Sequence, residues 1–344
     1  MTNGSWKSIR HRVEWFFVRL AAVVIPLCPR RVITAIGSAF GAMAAYLDFE
    51  GRRVALSNLE CTLGAQLTPA RKRQLVRQSY QHVARAMTDL FWSPRLTAEN
   101  FAELVEFSGL EQWSAELEEG KPVIWGCQHY GNFEWMATSV GLSGRKSVIM
   151  AQEFKNPLLD PTFITLRQRG GHRVVTRQGS LLHLYRALRR GERVAIFADL
   201  TISAKIPSVV IDCFGMKRCV SFAQAWLHQH TGAPIINAHM EPLPGGRYRL
   251  VFHPPLQLQA GASAREIAQA CWDQMEPVIR RNPAPWLWMY KHWRYRPENA
   301  DASAYPFYAN VSPHFEKRLK ESESTSENEA LSSRAAADGE GPPN

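Results

Sequence analysis

The sequence predicts an α/β chain: a mostly parallel, twisted sheet covered by helices, with membrane-associating helices at its amino end. From residue 123 to residue 252 short apolar runs alternate with amphipathic helical segments, the pattern of a parallel sheet wrapped by its own crossovers. The first fifty residues pair apolar runs with clustered aromatic and basic side chains. The chain has 344 residues, 45% hydrophobic and 21% charged, enough for a sizeable core.

At the amino end, MTNGSWKSIRHRVEWFFVRLAAVVIPLCPRR sets Lys7, Arg10, Arg12 and Arg19 among Trp6, Trp15, Phe16 and Phe17. Leu20 to Cys28 is apolar, Pro29, Arg30 and Arg31 interrupt, and Val32 to Leu47 is apolar again but rich in Gly and Ala. Neither run reaches the roughly 20 residues that span a bilayer. Pro-Arg-Arg stands where a small-residue cleavage site would be needed, which argues against a signal peptide. Two readings stay open for this segment. One is a pair of buried or amphipathic helices; the other is an anchor at the headgroup boundary, where aromatic and basic residues flank an apolar face.

Thr68 to Trp92 reads as a long helix, with Thr68 as N-cap, Pro69 at the first helical position and apolar residues from Leu75 to Leu90 at helical spacing. Strands are expected at Val123–Gly126, Ser147–Ala151, Arg173–Thr176, Val194–Ala198, Ser208–Phe214, Pro234–Met240 and Tyr248–Phe252. Helices are expected from near Asn132, over Leu158–Arg169, from Ser180 to Gly191 and up to Gly232. The carboxyl end, ESESTSENEALSSRAAADGEGPPN, holds too little apolar surface to offset chain entropy. The domain expectation is an amino-terminal helical segment over 1–50, a catalytic domain over 51–312 and a disordered tail over 313–344.

Lys plus Arg number 41 against 31 Asp plus Glu, a net charge of +10, and the tail is itself net acidic. A basic body favours anionic partners. The six cysteines form no C-x-x-C pair and no zinc spacing, which fits a reducing compartment better than a disulfide framework. Serine-hydrolase, P-loop, dinucleotide-binding and zinc-protease motifs are absent.

The stretch VIWGCQHYGNFEWMA, Val123 to Ala137, is where chemistry is expected. A strand ends, His129 follows at the sheet edge where functional residues of such folds gather, and Glu134 falls in the next helix's first turn. Gly131 allows a tight turn and Asn132 can cap the helix. A carboxylate on imidazole Nδ1 would fix the tautomer and leave Nε2 free as a base. The spacing alone is cheap, and a capping acid beside a surface histidine is the plain alternative. Cys127 is conceivable as a nucleophile, but a buried small residue is the better reading. Further on, RNPAPWLWMYKHWRYRP, Arg281 to Pro297, interleaves aromatics with cations. It reads as a core strand with a basic face or as a phosphate-holding membrane surface. Nucleic-acid binding is not expected, since no nucleic-acid module accompanies it.

His129-Tyr-Gly-Asn-Phe-Glu134 resembles the H-x4-E signature of the glycerolipid acyltransferase superfamily, and the other blocks resemble its lipid A biosynthesis (lauroyl/myristoyl) acyltransferase branch. Those blocks are Asn58-Leu59; Asn156-Pro-Leu-Leu-Asp160 with Arg167; Gly191-Glu-Arg-Val with Asp199; Phe214-Gly215 with Thr231-Gly-Ala233; and Asn282-Pro with Trp286, Trp288 and Arg296-Pro297. Departures occur at Leu200-Thr-Ile-Ser after Asp199, at Tyr290 and at His292. The resemblance implies a glycerolipid acyltransferase-like fold and an O-acyltransferase at the cytoplasmic face of the inner membrane. His129 would act as general base, with Glu134 orienting it. Asn132, Arg167, Arg169 and Asp199 would contact substrate, Arg167 or its neighbour Arg169 taking an anionic headgroup or the donor's phosphate. The acyl donor would be a thioester of acyl carrier protein or coenzyme A, and the acceptor a membrane glycolipid such as a lipid A precursor. No metal or other cofactor is implied. A lysophospholipid or phosphoinositol mannoside acceptor, a thioesterase, and a non-enzymatic lipid-binding surface protein are the alternatives.

Overall fold

The computed structural model describes residues 2–110, 120–176 and 179–323. Four helices come first: α1 (Thr2–Val24), α2 (Arg30–Leu47), α3 (Phe49–Leu63) and α4 (Pro69–Trp92). Thr68 caps α4 as the sequence predicts, its side chain accepting the Arg71 N–H at 3.2 Å. The sheet then runs β1 (Val105–Ser108), β2 (Ile124–Cys127), β3 (Ser147–Ala151), β4 (Arg173–Thr176), β5 (Arg193–Phe197), β8 (Ile235–Pro242) and β9 (Tyr248–Phe252) in the spatial order β1-β9-β8-β2-β5-β3-β4. Every neighbouring pair is parallel except β8 with β9. Helices α5 (Phe133–Leu142), α6 (Asp160–Gln168), α7 (Ser180–Arg189), α8 (Ala223–Thr231) and α9 (Ala264–Arg281) cover it, and β6 (Val209–Cys213) with β7 (Met216–Val220) forms a separate hairpin. All four residues of the central strand β2 are buried, as an apolar run in a doubly covered sheet should be.

Three expectations need correction. β1, β7 and α9 were not anticipated; β7 carries Lys217 and Arg218, which mask its alternation. The segment Arg281–Pro297 is no strand but a series of turns, and Trp286, Trp288 and Trp293 are buried in the core. The tail does not begin at 313: residues 313–323 are helical, with Phe315 and Leu319 buried against Ala204, Val210 and Cys219. Residues 324–344 lie outside the described residues.

The hairpin turn explains the Phe214-Gly215 pair. Phe214 adopts φ 52° and Gly215 φ 79°, the left-handed pair of a tight two-residue hairpin. A phenylalanine there is strained, and its ring is held by Trp272, Trp286, Trp288 and Trp293, with centroids 5.8–6.4 Å away.

The amino-terminal helices are joined to the body rather than appended to it. α2 lies so close to α4 that a Cβ on Gly41 would sit 2.4 Å from the Gln81 Cα. Asn156, before α6, donates to the His11 carbonyl at 2.9 Å and to Glu14 at 2.8 Å, fastening α1. Buried Asp89 on α4 accepts from Arg30 of α2 (3.1 Å), Asn132 before α5 (2.7 Å) and Tyr248 of β9 (2.8 Å), and its carbonyl accepts from the Trp135 indole at 2.7 Å. Outward, α1 and α2 expose Trp6, Phe16, Phe17, Val23, Phe40 and Tyr46. Among the described residues no single helix is long and apolar enough to cross a membrane, although α2 and the helix that follows it, bent at 89°, pass by length and composition as a pair.

Removing Asp89 strands the Arg30 guanidinium in a nearly dry site. Asp89→Ala should lose about 3–5 kcal/mol of folding stability, as breaking a buried pair does, measured by urea denaturation. A loss below about 1 kcal/mol, the value of an exposed pair, would show that this carboxylate does not hold the helices to the sheet.

Candidate active site

The register of β2 and β5 builds the site. Cys127 pairs with Phe197 across these parallel neighbours, so the residues two positions beyond each strand end face one another: His129 and Asp199. Asp199 Oδ1 meets His129 Nδ1 at 2.7 Å and Oδ2 accepts the His129 backbone N–H at 2.9 Å. Asp199 is fully buried while a fifth of the His129 side chain is exposed. The imidazole packs against Phe133 and Phe197, centroids 5.0 and 4.6 Å away. Among the described residues nothing bonds its Nε2. A carboxylate on Nδ1 makes Nδ1–H the favoured tautomer and leaves Nε2 with a free lone pair.

The carboxylate that orients His129 is therefore Asp199, not Glu134. Glu134, in the first turn of α5, is buried and pairs with Arg167 in the last turn of α6: Oε1 to Nη2 is 2.6 Å and Oε2 to Nε 3.0 Å. This is a bidentate, charge-assisted pair. Burial disfavours the Arg167 charge, but Glu134 outweighs it and holds the guanidinium firmly protonated. Two of its five N–H donors go to Glu134, and the side chain is 23% exposed.

Asn132 is not available to substrate. It is buried, its Oδ1 accepts the Trp135 N–H at 3.1 Å as the cap of α5, and its Nδ2 donates to Asp89. Arg169 is exposed beyond the end of α6 and donates to the Pro94 carbonyl at 3.4 Å, so it does not join the Glu134–Arg167 pair. Cys127 is buried and its thiol is pushed up to about 12, by burial and then by Asp199; such a thiol stays protonated and is no nucleophile. The turn itself requires Gly131. Its φ is 63° and a Cβ would lie 1.8 Å from the Met240 carbonyl oxygen, while its N–H donates to the Pro285 carbonyl at 3.1 Å.

Behind Asp199 lies a shell that the sequence did not reveal. Tyr290 OH donates to the Thr201 carbonyl at 2.7 Å, the Thr201 hydroxyl donates to the His292 carbonyl, and Arg218 Nε donates to the Thr201 hydroxyl at 3.2 Å. Thr201, Tyr290 and His292, all positions where the chain departs from the pattern it resembles, thus bond one another. His292 is stacked on Trp286 at 4.0 Å, and burial, then Arg218, drives its imidazole far down toward neutrality. Asn58 closes the arrangement from α3, donating to the carbonyls of Trp288 (2.8 Å) and Tyr290 (2.9 Å). No signal in the sequence marked this shell, since Lys217 and Arg218 mask the strand Met216–Val220 and the burial of Arg218 shows only in the fold.

The chain matches a family model described as bacterial lipid A biosynthesis acyltransferase over residues 2–295. It is 23% identical to a lipid A biosynthesis acyltransferase of Haemophilus influenzae, over 87% of this chain and 90% of that one. Against the Escherichia coli K12 lipid A biosynthesis lauroyltransferase it is 21% identical, over 84% and 94%. Against the myristoyltransferase of the same organism it is 23% identical, over 83% and 88%.

The Asp199 environment predicts an acid response. Burial pushes its carboxyl up, but the His129 charge, the two His129 N–H donors and Arg218 outweigh burial and hold it below the ordinary range. A carboxyl depressed in the folded state adds stability above its unfolded value of about 3.9, and that stability is lost as pH falls through the depressed value. Urea denaturation of the wild type should therefore weaken more steeply than that of Asp199→Asn between about pH 5 and pH 3. Parallel slopes would show that Asp199 is not held ionised by its neighbours.

Proposed function

This chain belongs to the bacterial lipid A biosynthesis acyltransferase family and is an acyltransferase, and we propose that it moves a fatty acyl chain from an acyl thioester to a hydroxyl of a lipid A precursor or related glycolipid, with His129 as general base. The observation that carries the mechanism is the in-register His129–Asp199 pair past the carboxyl end of β2, with Nε2 unbonded among the described residues. Nε2 takes the acceptor hydroxyl proton as the oxygen attacks the thioester carbonyl. Asp199 holds the ring and stabilises the imidazolium. The tetrahedral intermediate collapses with cleavage of the carbon–sulfur bond, and the departing sulfur takes the proton, leaving an ester and a free thiol. No acyl-enzyme forms.

Glu134 and Arg167 serve this chemistry as a unit. Glu134 fixes the guanidinium, and the three remaining N–H donors of Arg167 take an anionic group of the acceptor or donor. The net charge of +10 suits an acidic carrier protein or the phosphates of coenzyme A as the donor's handle. The aromatic and aliphatic side chains left bare on α1 and α2, beside Lys7, Arg10, Arg12 and Arg19, support seating at the cytoplasmic face of the inner membrane.

His129→Ala should lower thioester-dependent acylation by about 10²–10⁴-fold, the contribution of a positioned general base, with the fold intact by circular dichroism. Full activity in His129→Ala would end the mechanism. Lipid mass spectrometry of the products names the acceptor and separates transfer from thioester hydrolysis, which yields free fatty acid alone. Replacing Phe16 and Phe17 together by Glu should release protein from sedimented vesicles of anionic phospholipid while leaving its unfolding profile unchanged; undiminished binding would remove α1 from the membrane contact.

A further inference from the structure

Arg218 lies in the core at 1% exposure on the inward face of β7. Its bonded partners are neutral: Nε donates to the Thr201 hydroxyl, Nη1 lies 3.4 Å from the Cys213 sulfur, and Nη2 has no partner among the described residues. The guanidinium stands over Trp272 at 5.0 Å and Trp286 at 6.0 Å. No carboxylate forms an ion pair with it among the described residues. A dry guanidinium without a paired anion is strongly disfavoured. A position that only filled space would carry an apolar side chain.

The anion its charge serves is Asp199, two residues before Thr201, whose hydroxyl takes the Arg218 Nε–H at 3.2 Å. We propose that Arg218 is a positioning residue for acyl transfer: a buried cation behind Asp199 that opposes proton uptake by the His129–Asp199 pair and so keeps the pair in its base form. The inference rests on the reading of His129 as general base and extends it to what maintains that base. The pair in its active form carries one negative charge; a proton neutralises it and forfeits the attraction to Arg218. Removing the cation therefore makes the pair easier to protonate.

The other groups around the pair do not substitute for it: Arg167, the other cation of the site, is offset by the Glu134 carboxylate it pairs with. Burial pushes Cys127 on β2 and Cys213 on β6 up to about 12, and Tyr290 is raised as well, so these stay neutral. His292 is neutral for the reason already given. On α9, Glu276 accepts from Arg280, the Trp272 indole and the Phe214 N–H. Arg294 bonds the Tyr290 hydroxyl from an exposed position, where solvent screens it.

The test uses the full chain in detergent with two neutral variants, Arg218→Met and Arg218→Gln, and the charged variant Arg218→Lys. Glutamine keeps a donor for Thr201 and removes only the charge. Two readouts are taken over the same pH series: the rate of acyl transfer from a long-chain acyl thioester to a glycolipid acceptor, and the His129 ring nitrogens by long-range nitrogen–proton correlation. In the neutral variants the acid limb of the rate profile and the ring titration should both move to higher pH by about one unit, with much of the rate recovered on the alkaline plateau. Arg218→Lys should stay near the wild type. A lowered plateau with an unmoved limb and titration would assign Arg218 to packing and overturn the proposal. So would failure of both neutral variants to fold. If the wild type transfers no acyl chain but the ring titration still moves, the proposed mechanism fails while the electrostatic role of Arg218 stands.

Discussion

The carboxylate of Asp89 is the point on which the rest of this architecture depends. One buried group gathers donors from α2, from the turn after β2 and from β9, and its own peptide carbonyl takes the Trp135 indole. Without the carboxylate the Asn132 amide, the Tyr248 hydroxyl and the Arg30 Nη2 would lose this acceptor, and unsatisfied buried donors are more damaging than weak bonds are helpful. The result is that the first turn of α5, which carries Glu134, is positioned from α4 and α2 and not by the sheet alone. Arg30 adds a bond to the Gly246 carbonyl at 2.8 Å, so a single guanidinium reaches from the amino-terminal helices to the β8–β9 connection.

Two residues that read as markers of a family prove to be fasteners between distant parts of the chain: Asn58 holds the carbonyls of Trp288 and Tyr290, and Asn156 holds α1. Ser79, which no motif marked, likewise bonds the Trp286 carbonyl at 2.5 Å. Each couples a helix of the first hundred residues to a later element. Such asparagines and serines satisfy backbone groups in irregular segments that have no ladder of their own. The turn that carries His129 receives the same treatment, since Gly131 donates to Pro285 and Tyr130 bridges Trp286.

What could be read from the residues was local. The parallel sheet followed from alternating runs, the cap at Thr68 from its own chemistry, and the place of His129 just past a strand from the apolar run before it. What could not be read was partnership. Glu134 is near His129 in sequence, yet it pairs with Arg167, while Asp199, seventy residues away, reaches the imidazole because β2 and β5 are neighbours in register. Sequence spacing says nothing about which strands become neighbours. The aromatic-basic block misled for a related reason: its composition suits a surface, but Phe214 and the hairpin fold over it and make Trp286, Trp288 and Trp293 core. Arg218 was hidden because a charged residue in a short strand ordinarily faces solvent.

The burial of the cysteines has a practical side. Cys127, Cys213, Cys219 and Cys271 are all shielded, and burial raises every one of their thiols. Thiolate is the reactive form, so these four are poor targets for disulfide reagents at neutral pH. Cys28 and Cys61 are partly accessible. Such a reagent would therefore label Cys28 and Cys61 first, while the turn that carries His129, beside Cys127, escapes modification.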